Sequence, residues 1–128
     1  MPVSAENSRL IRAALEALGH EDPDGFSALL HPEIEIETDR GVRRGRRAAL
    51  DWASKRFDHL VRVWAVDEIQ GEGDRLLVVD RIQYVWRDGG ELGDETPVAL
   101  GFELADGQIQ TMRIFESVDE GLENFKVG

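Results

Sequence analysis

Hydrophobic residues near the start of the chain recur with the period of a helix. Leu10, Ile11, Ala14, Leu15 and Leu18 share one face, and Gly19 follows as a stop. Asp22 then Pro23 reads as a cap with a first-turn proline, and Phe26, Leu29 and Leu30 form the apolar face of a second, short helix. His31-Pro32 is expected to end it, because a residue before proline avoids helical angles. Glu33 to Thr38, EIEIET, alternates strictly, which predicts a short strand with one wet face. An arginine-dense loop, Arg40 to Arg47, comes next. Gly45 is expected to open a third helix on which Ala49, Trp52, Ala53 and Phe57 share a face.

The period then changes to two. Residues 59–70, 74–87, 96–104 and 108–117 each read as a strand, separated by turn residues at Gly71 to Asp74, Asp88 to Gly93 and Asp106-Gly107. Long strands joined by tight turns predict an antiparallel meander. Helices first and a curved sheet after them make an α+β plan, with the helices packed on one sheet face. No repeat, linker or low-complexity tract interrupts residues 1–128, so one domain is expected.

Strand parity predicts which side chains face inward. In 76–86, Leu76, Val78, Asp80, Ile82, Tyr84 and Trp86 share the more apolar face, and Asp80 is the one charge on it. Leu100, Phe102 and Leu104 align inward on the next strand. A three-residue loop at Ala105-Asp106-Gly107 would put Gln108, Gln110, Met112, Ile114 and Glu116 on the face of Phe102; a two-residue turn would reverse them. With Ile34, Ile36 and Thr38 from the first strand and Trp52 and Phe57 from the third helix, these residues enclose a mostly apolar space holding two carboxylates, Asp80 and Glu116. Trp64 is an open case, since 59–70 has apolar residues on both parities. Such a lining suits a small, largely apolar ligand held by a few polar anchors.

Composition narrows the classes. The chain has no cysteine, which removes disulfides, a thiolate nucleophile and cysteine metal sites. No apolar run approaches the roughly 20 residues that cross a bilayer, so no membrane association and a cytoplasmic location are expected. The formal charge is −11. Residues 1–64 hold ten basic and eleven acidic side chains, and residues 65–128 hold five and fifteen. A surface of this kind repels phosphate backbones, so nucleic acid is not an expected partner.

Three stretches carry a family resemblance. DPDGFSALLHPEIEIE looks like a second helix running into a first strand, RRGRRAALDWA like a "G-R-x-A" entry to a third helix, and FELADGQIQTMRIFES like a final hairpin, all as found in SnoaL-like families of the nuclear transport factor 2-like superfamily. The order of elements over roughly residues 8–125 is similar too. The resemblance implies a cone: a bent, mostly antiparallel sheet wrapped around three N-terminal helices, with an apolar pocket open at one end. It also implies a homodimer formed through the sheet. Relatives include isomerases, cyclases, dehydratases and epoxide hydrolases as well as proteins without known catalysis, so fold alone does not assign activity.

The resemblance does not carry over a known active site. The aspartate base of ketosteroid isomerases matches Thr38, with Asp39 adjacent, and their oxyanion-hole acid matches Leu100. Of the Asp-Arg-Asp set of limonene epoxide hydrolases, the arginine falls on Asp80 and the two aspartates fall on Ile82 and Ile114. What the residues themselves supply is Asp80 as a proton-transfer group, Glu116 as a second carboxylate and Tyr84 as a hydrogen-bond donor. Trp52, Thr38, Ile36, Ile82, Leu100, Phe102, Met112, Ile114 and Trp64 would line the ligand space, and His59 would stand at its rim as an alternative base. A carboxyl in an apolar cavity has its charged form disfavoured, which moves its pKa toward neutral pH. Any reaction would be acid–base chemistry without cofactor or metal. The rival is a non-catalytic ligand-binding or protein-interaction domain. The cluster Arg40, Arg43, Arg44, Arg46 and Arg47 has three readings: charges balancing Glu33, Glu35 and Glu37, recognition of an anionic ligand at the pocket mouth, or nucleic-acid contact.

Overall fold

A computed structural model describes residues 4–125. The elements in chain order are α1 (Ala5–Gly19), α2 (Pro23–Ser27), β1 (Leu30–Thr38), β2 (Gly41–Arg44), α3 (Arg46–Ala53), β3 (Leu60–Glu72), β4 (Arg75–Trp86), β5 (Leu92–Ala105), β6 (Gln108–Phe115) and α4 (Val118–Asn124). The strands form one curved, unclosed sheet in the order β2-β1-β6-β5-β4-β3. Every pairing is antiparallel except β1 with β6.

The helices form for local reasons that the chain states plainly. Ser4 caps α1 by accepting from the Asn7 N–H, and Ile11, Ala14, Leu15 and Leu18 bury the predicted stripe. Asp22 caps α2 by accepting from the Gly25 N–H at 3.0 Å. The second helix stops at Ser27, earlier than His31-Pro32 suggested, because Leu30 is already a buried strand residue paired with Ile109. Pro32 sits where the β1–β6 register shifts, between Leu30 and Glu35, so its missing N–H breaks no regular ladder. These helices cover the concave face. Their apolar side chains meet Ile34, Ile36, Trp64, Leu76, Val78, Ile82, Leu100, Phe102 and Met112 in one core.

Two irregularities decide which way side chains point. The first is in β3. Trp64 pairs with Ile82 and Val66 with Asp80, but the next pairs are Glu68 with Val79 and Ile69 with Val78. Asp67 is therefore an extra residue, and the strand switches parity there. That is why 59–70 carries apolar residues on both parities: Trp64, Val66 and Ile69 all pack with the core. The second is in the last hairpin. The turn has two residues, Asp106 and Gly107, with φ 55° and 75°, and Ala105 pairs with Gln108. The expected three-residue loop is absent, and Ile109 is buried instead of Gln108. A register shift next to Gln110 then restores Phe102 with Met112 and Leu100 with Ile114. Met112 and Ile114 thus keep the face expected of them.

Two elements were not read from the chain. The arginine-dense segment is not a loop; Thr38 pairs with Gly41 and Ile36 with Arg43, making the short β1–β2 hairpin. Beyond Phe115 the chain leaves the sheet, and Ser117 caps α4 by accepting from the Glu120 N–H. This helix lies on the convex face, where Phe125 packs with Leu77, Ala99 and Phe115 as a second apolar cluster. Glycine permits that close approach, since a Cβ on Gly101 would stand 2.5 Å from the Phe125 ring.

Candidate functional site

The strand directions bring four side chains to one end of the concave face: Thr38 at the end of β1, Trp64 near the start of β3, Ile82 late in β4 and Ile114 late in β6. Trp52 of α3 joins them. Together they bound a cavity of about 500 Å³. Trp52, Trp64 and Ile82 are 7–8% exposed, so the floor is apolar and nearly dry. The rim has a different character. It carries Asp39, Arg40, Arg43, Lys55, Arg56, Phe57 and Arg62.

Alternation in the β1–β2 hairpin sorts the arginines. Arg43 shares a face with the buried Ile36 and reaches the rim, where its Nη1 lies 3.5 Å from Thr38 Oγ1. Arg44 points the other way and pairs with Glu35 at 2.7 Å. Arg46 donates from Nε and Nη2 to the Leu30 carbonyl, tying the start of α3 to the start of β1. The connection after α3 is held by Glu21. Its carboxylate accepts from Arg56 Nε and Arg87 Nη2, both at 2.9 Å, and Arg87 Nη2 also donates to the Phe57 carbonyl. Hydrogen bonding from Arg87 in the first place, and from Arg56, holds Glu21 down at about 2. Arg62 lies over two rings, 5.4 Å from the Phe57 centroid and 5.8 Å from that of Trp64. Burial pulls its pKa down from the ordinary arginine value.

Asp80 is 0% exposed. Its Oδ1 accepts from the Arg81 N–H at 2.6 Å, and its Oδ2 has no hydrogen-bond partner among the described residues. Burial pushes its pKa up to about 7. The Arg81 guanidinium is on the convex face, engaged with Asp67 and Glu95. Arg62 does not serve Asp80 either. Arg62 pairs with Tyr84, which is four residues from Asp80 along β4, about 13 Å at strand spacing. The Trp64 indole Nε1 is likewise buried without a partner. Trp64 and Asp80 belong to neighbouring cross-strand pairs on the concave face, so two unsatisfied polar atoms occupy the same stretch of sheet. Asp80 does not line the cavity itself; Ile82, two residues on, does.

Residues 11–112 match the SnoaL-like domain family. The chain belongs to that family. Solved structures of similar fold are numerous. An epoxide hydrolase from M. tuberculosis, of the limonene epoxide hydrolase-like type, is 22% identical with TM-score 0.74, covering 95% of this chain and 90% of that one. A candidate polyketide cyclase from Xanthomonas campestris is 19% identical with TM-score 0.73, covering 94% and 97%. A protein with a ketosteroid isomerase-like fold from Catenulispora acidiphila, in complex with trimethylamine, is 12% identical with TM-score 0.72, covering 93% of each chain. Such identities establish the nuclear transport factor 2-like fold and nothing about chemistry. No curated protein matches the sequence significantly.

Against this SnoaL-like frame the expected site residues fall into groups. Thr38, Trp52, Trp64, Ile82 and Ile114 come together on the cavity. Ile36, Leu100, Phe102 and Met112 point inward but are wholly buried core residues that do not line it. Strand parity cannot tell wall from filling, since both lie on one face. Tyr84 is half-buried, edge-on to Phe57 at 6.2 Å, and lines a separate shallow cleft with Leu60, Trp86 and Thr96. His59 is exposed and belongs to another groove with Asp58 and Arg87. Glu116 is not inside. It follows the last residue of β6, is exposed, and hydrogen bonding with Asp39 raises its pKa. The expected pair of interior carboxylates is therefore one buried acid, Asp80, and one rim pair, Asp39 with Glu116. The rim cations Lys55 and Arg56 were not anticipated; Arg62, which the sequence offers as a counter-charge for Asp80, stands at the rim instead. Arg62 has the parity of Trp64, and that was the available signal. Among the described residues no three His, Asp or Glu side chains gather as a metal site, and no helix is long and apolar enough to cross a membrane.

Proposed function

We propose that this SnoaL-like domain binds a small, mainly apolar organic molecule in the cavity between α3 and the ends of β1, β3, β4 and β6. The observation that carries the reading is the floor: two indoles and two isoleucines bounding about 500 Å³ of space beside the buried core. Cavities of that size and lining take most of a small ligand out of water, and each Å² of apolar contact contributes roughly 25 cal/mol. Neighbours of the same fold named for epoxide hydrolysis and polyketide cyclisation support the ligand class.

The neutral apolar fluorophore N-phenyl-1-naphthylamine tests this reading. Its emission should rise saturably with micromolar affinity, with energy transfer from the indoles, and Ile114→Trp should abolish binding while the thermal transition is retained. Non-saturable uptake, or binding indifferent to Ile114→Trp, would remove the cavity as a ligand site.

Asp80 has the chemistry for proton transfer, a buried carboxyl near neutral pKa with one oxygen free. Its position behind the cavity wall favours binding without turnover. The two readings separate on Asp80→Asn. Hydrogen–deuterium exchange at the α-carbon of a bound cyclic ketone, followed by NMR, should be lost in that variant if Asp80 is the base. A binding domain shows no exchange above buffer in either protein.

A further inference from the structure

Acidic side chains outnumber basic ones on this chain by 26 to 15. The cavity rim reverses that balance. Arg40, Arg43, Lys55 and Arg62 stand there with no carboxylate in ion-pair range among the described residues, while Arg56 is already taken by Glu21. The acid on the same rim, Asp39, is engaged with Glu116. Elsewhere the arginines of the sheet find carboxylates: Arg44 has Glu35, Arg75 has Glu103, Arg81 has Asp67 and Glu95, and Arg113 has Glu37. These outward arginines of the sheet thus have partners, and Arg40, Arg43 and Arg62 at the pocket have none among the described residues.

Arg62 is the telling case. It is half-buried, and its guanidinium carbon lies over the Phe57 and Trp64 rings. A ring stacked on a guanidinium satisfies its flat face and leaves the N–H edge wanting an acceptor. Removing a guanidinium from water without giving it an acceptor costs free energy, which an arriving anion would recover. Glu21 reinforces the arrangement. By holding Arg56 and Arg87, and through Arg87 the Phe57 carbonyl, it fixes the ring that backs Arg62.

We infer that the ligand of this cavity carries a carboxylate on an aromatic or alicyclic body, with the carboxylate on Arg62 and Arg43 and the body on the Trp52 and Trp64 floor. The inference deepens the reading of the cavity as a small-molecule site and rests on it. The guanidinium fork matches the two oxygens of a carboxylate. A nucleic-acid strand fits poorly, because the rim is a compact ring of charge on a chain of net −11 rather than a basic track.

A matched pair of probes tests it: 2-naphthoate, anionic at pH 7.5, and 2-naphthamide, neutral and of nearly the same shape. Affinities are read by calorimetry at low salt. The wild-type protein should bind naphthoate at least tenfold more tightly than naphthamide. Arg62→Met should abolish that preference while changing naphthamide affinity less than about threefold. Arg62→Lys, which keeps the charge and loses the fork, should retain only part of it. Should Arg62→Met fail to fold, the Arg40→Ala/Arg43→Ala double variant reads the same ratio from exposed and half-buried positions and should reduce it. Equal wild-type affinities, or a preference that survives these substitutions, would overturn the carboxylate assignment and leave the cavity standing. If neither probe binds, and N-phenyl-1-naphthylamine does not bind, the cavity reading falls and the assignment with it.

Discussion

The two faces of β3 and β4 treat charge in opposite ways. On the convex side Arg81 reaches Asp67 at 2.9 Å and Glu95 at 3.0 Å, and Gln83 donates to the same glutamate. On the concave side of the same two strands, Arg62 has no carboxylate and Asp80 has no cation. Pairing charges in water gains little, because hydration already satisfies them and long side chains lose freedom on pairing. Leaving a charge unpaired where water is partly or wholly excluded is costly, more so for the wholly buried Asp80 than for the half-buried Arg62. Each concave group meets that cost differently. Asp80 has its pKa raised to about 7, so that it keeps its proton below neutral pH. Arg62 cannot lose its charge at physiological pH, so it lies on two rings at the cavity edge. The expensive, unpaired groups are the ones to ask about function, and the well-paired lattice outside is the quieter region.

The largest test of that contrast is the pH dependence of stability. With a native pKa of about 7 against 3.8, Asp80 keeps its proton in the folded chain after the unfolded chain has released it. Below pH 4 both states are protonated and the stabilising effect of the neutral form is complete. Between pH 4 and 7 wild-type stability should fall, and above 7 the loss levels off, on the order of 4 kcal/mol in total. Asp80→Asn removes the titration. In urea unfolding it should be the more stable protein at pH 8, by several kcal/mol, with the gap closing toward pH 4. A wild-type curve parallel to that of Asp80→Asn would mean that Asp80 is ionised and paired.

A smaller effect sharpens the division between faces. A Cβ on Gly121 would stand 2.4 Å from that of Ala99, so Gly121→Ala must push α4 off the convex cluster. Overpacking of this kind costs about 1–3 kcal/mol, more than the roughly 1 kcal/mol alanine gains in a helix. The denaturation midpoint should drop while affinity for N-phenyl-1-naphthylamine stays put. Coupled losses would show that the two faces are not independent. The least effect belongs to Arg81→Ala. Despite two carboxylate partners it should cost less than about 1 kcal/mol, because both ion pairs are still reached by water. A loss of 3 kcal/mol would erase the distinction between the faces.

Much of this architecture is legible in the sequence because period and punctuation agree. The stripe on α1, the Asp22-Pro23 cap and the alternating runs of β4 and β5 each point one way. Asp80 stood out for the same reason, as a lone charge in the run Leu76, Val78, Ile82. What parity counting missed follows from assuming an unbroken ladder. The extra residue at Asp67 obscured the inward side of β3. The early exit at Phe115 turned Glu116 from an interior acid into a rim acid. The β1–β2 hairpin was hidden because four residues rich in arginine carry no apolar alternation, though their backbone pairs with β1 all the same.

The last hairpin has a consequence for how such a domain can change length. Its tight turn is one residue shorter than the phase of Phe102 and Met112 would require, and the irregularity beside Gln110 adds that residue back. The two errors cancel like a pair of frameshifts. Everything downstream of Gln110, including the Ile114 wall of the cavity, is read in frame only because both are present. Lengthening or trimming this hairpin in coupled steps would keep the pocket, and a single step alone would turn β6 inside out.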